Sequence, residues 1–470
     1  MLKNILIIFF SFNFFQNLSA ITLEEYLSEV RSKNSGLLAS QNAFFAKSKR
    51  AEEASFYFRP SLFMNGQYSD DQRPVNAPSF QGTQTLVSNY QLGLAQNFRT
   101  GTRAQVSYNY RHTEINGASV ALLPRSAFYD MYPQIELTQS LWRNFFGAEN
   151  RAFEQLQNSK LEVSKLADQF HFKEIMLKAE SAYCRYYFAE KALQVQKESL
   201  ESAKKLRDWN KNRVLKNLTD EADLLQAESN YQSREIEFEN TLIEVNSARK
   251  NFNTVREVDD NGENLNLMPS EKHSLANLHI PAKSIREDLL ISLANSKMAD
   301  AEAALGAEKN RPTFEVYGQY AHYGRDILLA EGIDKSFSNE HPYKVVGVRF
   351  STPLDFLTAN DYKNAYLQEK NAAHIGHQRK IFEAEKEWEE LSRRFDEFKR
   401  RLELTVKMEE IQKKKLNVEK IQYGRGRTTT FQVLQFEQDY ANAQLLKLKN
   451  QLELLSVYNQ LKLFSEIKYE

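Results

Sequence analysis

The chain has a single cysteine, Cys184, in 470 residues, so whatever compartment it occupies it folds without an internal disulfide. Charge of one sign is missing too. Lys+Arg and Asp+Glu stand at 62 each, which excludes both a basic field to hold nucleic acid and the acidic excess of a solvated disordered chain. Long hydrophobic runs are also scarce. The one apolar run, Ile5 to Phe15, follows Lys3 and precedes the small residues Ser19 and Ala20, the order of a secretory signal peptide with cleavage expected after Ala20. That run is too short to span a bilayer as a helix, and no later stretch approaches the roughly 20 apolar residues required, so no transmembrane helix is expected after residue 20. The absence of a cysteine at the cleavage point argues against an N-terminal lipid.

What is abundant is aromatic side chain: 22 Tyr and 31 Phe in a chain that is 26% charged. Their placement emerges when the chain is compared with itself. Arg59-Pro60-Ser61-Leu62 followed by Gly66-Gln67-Tyr68 recurs as Arg311-Pro312-Thr313-Phe314 followed by Gly318-Gln319-Tyr320, an offset of 252. Glu136 to Leu141 and Ala152 correspond more loosely to Arg349 to Leu354 and Ala365, an offset of 213. The chain reads as an internal duplication, with about 39 extra residues between the matched strands of the first half. Each half reads as a helix (22–57 and 284–309) stopped by the Arg-Pro pair, then strands, then a very long helical hairpin.

The strand regions alternate strictly. Tyr90, Leu92, Leu94 and Phe98 oppose Gln91, Gly93, Ala95 and Asn97; Val106, Tyr108 and Tyr110 oppose Gln105, Ser107 and Asn109; Val346, Val348 and Phe350 repeat the pattern. A half-buried soluble sheet alternates in this way. So does an outer-membrane barrel, apolar toward lipid and polar toward a wet lumen, and the export signal favours it. Between residues 141 and 217, and again between 354 and 426, the chain is mostly helical, roughly 110 Å if continuous at 1.5 Å per residue. Trp388, Leu391, Phe395, Phe398 and Leu402 step by three and four, and Leu404, Ile411 and Val418 step by seven, a coiled-coil-like pattern.

This arrangement resembles the TolC family of outer-membrane efflux proteins over almost the whole length after residue 20. Thr22-Leu23-Glu24-Glu25-Tyr26-Leu27 with Asn34 is similar to the family's opening helix, and Arg286, Asp288 and Leu289 to its second-half counterpart. Tyr423, Gly426, Thr429, Gln432, Val433 and Leu434 resemble its Tyr-x-x-Gly-x-x-Thr/Ser-x-x-Asp-Val-Leu helix turn; Asn217, Asp220, Asp223, Leu224 and Leu225 fill the first-half equivalents. Tight turns between antiparallel helices ask for these types, a left-handed residue at Gly426 and Asn217 and a cap at Thr429 and Asp220.

The resemblance implies a mixed α and β membrane protein: a transmembrane antiparallel β-barrel pooled from the subunits of a homotrimer, continued by a long coiled-coil-like α-helical barrel in the periplasm. The expected organisation is a signal peptide at 1–20, a first repeat at 21–258 with a helix, four strands and a long hairpin, and a second at 259–470 with a helix, two strands and a long hairpin. It implies a passive conduit in the cell outer membrane, bedded in outer-membrane lipid. A periplasmic membrane-fusion adaptor would open it at its helical tip, and an inner-membrane pump would drive it. Asn217, Leu218, Gly426 and Arg427 map to the adaptor contact. The periplasmic gate maps to Tyr423, bonded in the family to an Asp at the position of Asp223. Thr428 stands where the best-known member has an assisting arginine, with Arg425 and Arg427 close by, and Gln432 and Gln435 replace an acidic pair. Cargo stays open among drugs, metal ions and proteins.

No chemistry is expected. His374 and His377 lie three apart without a third ligand and read as solvated side chains; Gly424-Arg425-Gly426-Arg427 lacks the spacing of a phosphate loop; Cys184, among apolar and aromatic neighbours, reads as a packed inert thiol. No cofactor, metal or nucleic acid is expected. The competing expectation is a periplasmic or surface structural coiled-coil protein with a small soluble sheet and no pore.

Overall fold

The computed structural model describes residues 21–260, 265, 267, 278–338 and 340–466. The expected signal peptide lies outside them. The chain divides into two compact units that cut across the sequence halves, one from the described residues of Met1–Asn42, Asp168–Glu287 and Ile381–Glu470, the other from Ala43–Ala167 and Asp288–Lys380.

The first unit is helical. Helix α1 (Leu23–Lys33) opens on a capping box: Thr22 Oγ1 accepts from the Glu25 amide at 3.2 Å and the Glu25 carboxylate accepts from the Thr22 amide at 2.9 Å. One helix was expected over 22–57, but Asn34 interrupts it. Its Nδ2 donates to the Val255 carbonyl at 2.9 Å while its Oδ1 accepts from the Leu37 amide at 3.2 Å, so one side chain closes α5 (Glu221–Val255) and starts α2 (Ser35–Phe56). Tyr26, Val30 and Leu37 pack with Met176, Tyr183 and Tyr186 of α4 (Ala148–Leu215) and with Phe252 of α5. The Tyr26 ring stacks on Phe252 at 4.0 Å and its hydroxyl donates to the Phe252 carbonyl at 3.0 Å, so a buried phenol is satisfied where it lies.

Helices α4 and α8 (Phe356–Gly424) contain 68 and 69 residues, as the length of the periodic runs requires, and both contribute to both units. On α8, Leu391, Phe395 and Leu402 are buried and Trp388 and Phe398 half-buried, so the three-four stripe faces the core. The seven-step series behaves differently: Leu404, Ile411 and Val418 are exposed. Two residues separate Leu402 from Leu404, about 200° of helical rotation, which turns the second series to the opposite face; Thr405 and Leu416 continue the inward one.

The second unit holds an antiparallel sheet in the order β1 (Ser61–Asp71), β2 (Gln84–Asn97), β3 (Thr102–Asn116), β4 (Ala127–Ser140), β5 (Thr313–His322), β7 (Pro342–Ser351), with the three-residue β6 (Gly324–Asp326) extending the β5 side of β4. Strands β2 and β3 contain the alternating residues 90–97 and 105–110 and run several residues further at their far ends. Between β2 and β3 the chain turns at Gly101 (φ +76°), where an added Cβ would stand 2.6 Å from the Asn144 carbonyl oxygen, so only glycine fits. Short helices α3 (Pro78–Gln81) and α7 (Leu329–Ser336) lie in the β1–β2 and β6–β7 connections, and α6 (Glu287–Lys309) precedes β5. Beneath the sheet Ala152 and Leu156 of α4 pack on Ala301 and Leu305 of α6.

Register assigns the faces, because residues directly opposite each other across a strand pair share one. Leu62, Leu94, Val106, Ile135 and Tyr320 form one row; Met64, Leu92, Tyr108 and Pro133 form the next on the same face. The other face carries an amide ladder in which Asn65 Nδ2 donates to Gln91 at 3.0 Å, and Gln91 Nε2 to Ser107 at 3.2 Å. Burial is inverted relative to a soluble sheet. Leu92 and Val106 are each 53% exposed and Val346 83%, whereas Ser107 is 5% and Asn109 3% exposed.

Candidate functional site

Two helix turns carry most of the residues singled out by sequence, and their backbones follow the same pattern. At the end of α4, the Asn217 amide bonds the Val214 carbonyl at 2.9 Å and the Leu218 amide the Arg213 carbonyl at 2.9 Å. At the end of α8, the Gly426 amide bonds the Tyr423 carbonyl at 2.9 Å and the Arg427 amide the Gln422 carbonyl at 3.0 Å. The orphan carbonyls of each last turn are thus taken up by a residue in the left-handed region, Asn217 at φ +52° and Gly426 at φ +69°. Thr429 caps α9 (Thr430–Lys462) in a full capping box with Gln432. Asp220 occupies the N-cap of α5, but its side chain makes no capping bond; the short polar contact in that turn is instead Thr219 Oγ1 donating to Asp223 at 2.5 Å. Asn217, Leu218, Gly426 and Arg427 are all exposed, and no atom outside the turn lies within 4 Å of a Cβ built on Gly426.

Tyr423 and Asp223 have different partners within one chain. The Tyr423 hydroxyl donates to Asn210 Oδ1 at 3.3 Å and lies 3.0 Å from Thr430 Oγ1, which itself donates to Asn210 Oδ1 at 3.2 Å. Asn210, fully buried, returns its Nδ2 to the Leu206 carbonyl at 3.0 Å. This triad ties α8 and α9 to α4 beside the apolar contact of Leu206, Val433 and Leu434. Sequence reading missed Asn210 and Thr430. The available signal was spacing: Ala203, Leu206 and Asn210 step by three and four, so an amide occupies a seam position. The Thr428 hydroxyl lies against the Glu419 carboxylate and Gln432 Oε1, with one proton to share between them, and Gln435 Nε2 donates to Asp439 at 3.1 Å. The glutamines at the mapped acidic positions are therefore engaged with their own helix end.

The polar face of the sheet lines a cavity of about 700 Å³, with Arg103, Gln105, Glu136, Thr138, Glu315 and Arg349 in its wall. Gln319 donates to Glu136 at 2.9 Å and Arg349 to Glu315 at 3.5 Å, so opposite charges are interleaved along it.

Among the described residues no group of three His, Cys, Asp or Glu is placed to hold a metal ion. His374 and His377 were expected to be merely solvated; they are instead partnered, His374 Nε2 with Asp300 at 2.9 Å and His377 Nδ1 with the Ser292 hydroxyl at 2.7 Å, which fastens α8 to α6. Cys184 is buried, and burial, aided by Glu180, pushes its thiol up to about 12, leaving it no thiolate near neutrality.

No family model and no curated protein matches the sequence. Solved structures do. The Campylobacter jejuni CmeC outer membrane channel is 15% identical, with 96% of this chain and 87% of that one covered at a TM-score of 0.66. The outer-membrane channel OprN is 14% identical over 94% and 90% at 0.68, and the Vibrio cholerae outer membrane protein VceC 13% identical over 94% and 95% at 0.65. At such identities with near-complete mutual coverage it is the arrangement of elements that is shared, and the chain has the fold of the TolC-like outer-membrane efflux channels.

Proposed function

We propose that the protein is the outer-membrane subunit of a tripartite efflux or secretion system: a homotrimeric, passive conduit whose periplasmic helical tip is opened by an adaptor protein and whose transport is driven by an inner-membrane pump. The observation that carries this reading is the inverted sheet. A sheet that exposes Leu62, Leu92, Leu94 and Val106 while shielding Ser107, Asn109 and Thr113 has its apolar side toward lipid and its polar side toward an enclosed aqueous space. Its terminal strands β1 and β7 have no second neighbour among the described strands. Open edges cannot stand in a bilayer, so further chains must close the barrel. Six long strands from each of three chains make eighteen.

Within this reading Asn217, Leu218, Gly426 and Arg427 are the adaptor contact, and the gate comprises Tyr423, Asp223, Thr428, Gln432 and Gln435. Both turns present exposed backbone at Asn217 and Gly426 with the exposed side chains of Leu218 and Arg427 beside it, the kind of surface a partner's helical hairpin can approach. The protein performs no chemistry of its own.

Extraction followed by conductance tests the reading. The protein should resist removal from membranes by salt or alkaline buffer, require detergent, and give discrete, voltage-tolerant conductance steps in planar bilayers. Release by salt alone with no conductance would identify a structural coiled-coil protein without a pore.

A further inference from the structure

The connection between β5 and β7 is not a simple turn. After β6 it forms α7, and α7 does not project from the sheet but lies against its apolar face. Register places Tyr108, Met131 and Tyr129 on that face, in line with Leu92 and Tyr110. Tyr108 Oη lies 3.0 Å from Ser336 Oγ, its ring stacks on Phe337 at 6.0 Å, and a Cβ built on Gly332 would meet Met131 Cγ at 3.4 Å. The small residues Gly332 and Ser336, four apart, are the buried side of α7 and let its backbone approach the strands. Asp326 is buried at the root of the connection, accepting from the Ile327 amide at 2.7 Å and the Leu328 amide at 3.1 Å and paired with Lys335, so the helix is anchored at both ends.

The flank of α7 beside that contact is apolar as well, while Glu331 and Asp334 take the side opposite the strands. Leu329, Ile333 and Phe337, at i, i+4 and i+8, form one stripe and are 45%, 38% and 70% exposed, with Leu328 beside them. In a soluble protein a stripe of that kind on so short a helix would be folded inward. Its level on the sheet gives the reason it is not. The rows contacted by Gly332 contain Tyr90, Tyr110 and Met131, then Tyr68, His112 and Tyr129; the next row outward contains Asp70 and Glu114. Tyrosines at the edge of an apolar band, followed by charge, mark the boundary between hydrocarbon and headgroups.

We propose that α7 is an in-plane membrane helix, packed on the outer wall at this tyrosine boundary and presenting Leu329, Ile333 and Phe337 to lipid acyl chains. The inference rests on the channel reading, which assigns the apolar face of the sheet to lipid. Lipid rather than a second copy of the chain is the occupant because α7 covers β3 and β4, the middle of the six long strands, whereas neighbouring chains meet at the β1 and β7 edges. An amphipathic helix at that depth adds apolar contact area. It widens the grip of each subunit on the outward leaflet and fixes the β5–β7 connection away from the mouth of the conduit.

The test uses the full-length protein in phospholipid nanodiscs, with single nitroxide-labelled cysteines in a Cys184→Ser background. Ile333→Cys and Leu329→Cys replace exposed side chains and leave the Gly332 and Ser336 contacts in place; Leu92→Cys reports the strand face itself. Collision with oxygen, which partitions into hydrocarbon, should exceed collision with a water-soluble nickel chelate several-fold at all three sites. Nickel-dominated collision at 333 and 329 with oxygen-dominated collision at 92 overturns the membrane helix and leaves the channel reading standing. Nickel-dominated collision at 92 overturns both. Exclusion of both reagents with an immobilised spectrum at 333 assigns the stripe to a second protein surface and likewise overturns the proposal.

Discussion

Asn210 occupies a position that a coiled-coil-like seam ordinarily gives to an apolar residue, and an amide is tolerated there because both of its ends are used. Its Nδ2 is bonded to the preceding turn of α4 and its Oδ1 accepts from Tyr423 and Thr430. Asn210→Ala removes the acceptor shared by the half-buried Tyr423 hydroxyl and the buried Thr430 hydroxyl, which keep only each other, and should cost about 1 kcal/mol, read as a lowered unfolding midpoint in detergent. Under the proposed gating Tyr423 and Asp223 hold the tip shut, so Tyr423→Phe, which keeps the ring and loses the donor, should raise the closed-state conductance in planar bilayers, and Asp223→Ala should do likewise. No rise in either variant removes these residues from the latch. A rise with Tyr423→Phe and Asn210→Ala but not with Asp223→Ala places the latch inside one subunit. Tyr423 could be singled out in the sequence because it stands in a turn motif. Its partners were not, since Asn210 lies 213 residues away and nothing local announces the pairing.

At the scale of the element, the two helix turns were the most readable parts of the chain. A positive-φ residue followed by a cap is a local requirement, and Gly426, Thr429 and Asn217 meet it. Boundaries set by tertiary contacts were less readable. The break at Asn34 depends on a carbonyl of α5, and the far ends of β2 and β3 depend on pairing with strands elsewhere in the chain. The seven-step series on α8 had the right period, but period alone does not say whether a stripe meets its own chain or stays open. Gly426→Glu tests the role of the turn. Glutamate at φ +69° is strained by roughly 1–2 kcal/mol, too little to unfold helices of this length, while its bulk and charge intrude on a surface where the glycine touches nothing. The variant should reach the membrane in normal amount and fail in transport, measured as lost resistance or secretion in cells carrying the cognate adaptor and pump. Full transport by a correctly inserted Gly426→Glu protein would move the adaptor contact elsewhere.

For the whole molecule the consequential element is the β2–β3 hairpin, which accounts for the excess of about 39 residues between the matched strands of the first half. Its alternation points to the barrel wall, because a hairpin folded over the mouth would have no reason to put Tyr90, Leu92, Leu94, Val106, Tyr108 and Tyr110 on one face. The hairpin lies in the sheet, with β2 paired to β1 from Ser61 to Asp71 and β3 paired to β4 from Thr102 to Glu114. At 14 and 15 residues the two strands exceed the roughly 9–11 needed to cross a bilayer at the usual tilt. A barrel's circumference grows with strand number, so six long strands in each of three chains predict an eighteen-stranded wall with a wider lumen than twelve strands enclose. Single cysteines at Leu92 and Val106 in a Cys184→Ser background, carrying an environment-sensitive dye, should both show blue-shifted emission in proteoliposomes. Cys184 must be removed because detergent could unmask its thiol, although burial keeps it silent in the native fold. Unitary conductance gives a second reading, since a wider lumen passes more current unless the periplasmic tip is the narrower constriction; opening the tip with Tyr423→Phe exposes the difference. Water-like emission at both positions would withdraw the hairpin from the wall and return the barrel to twelve strands.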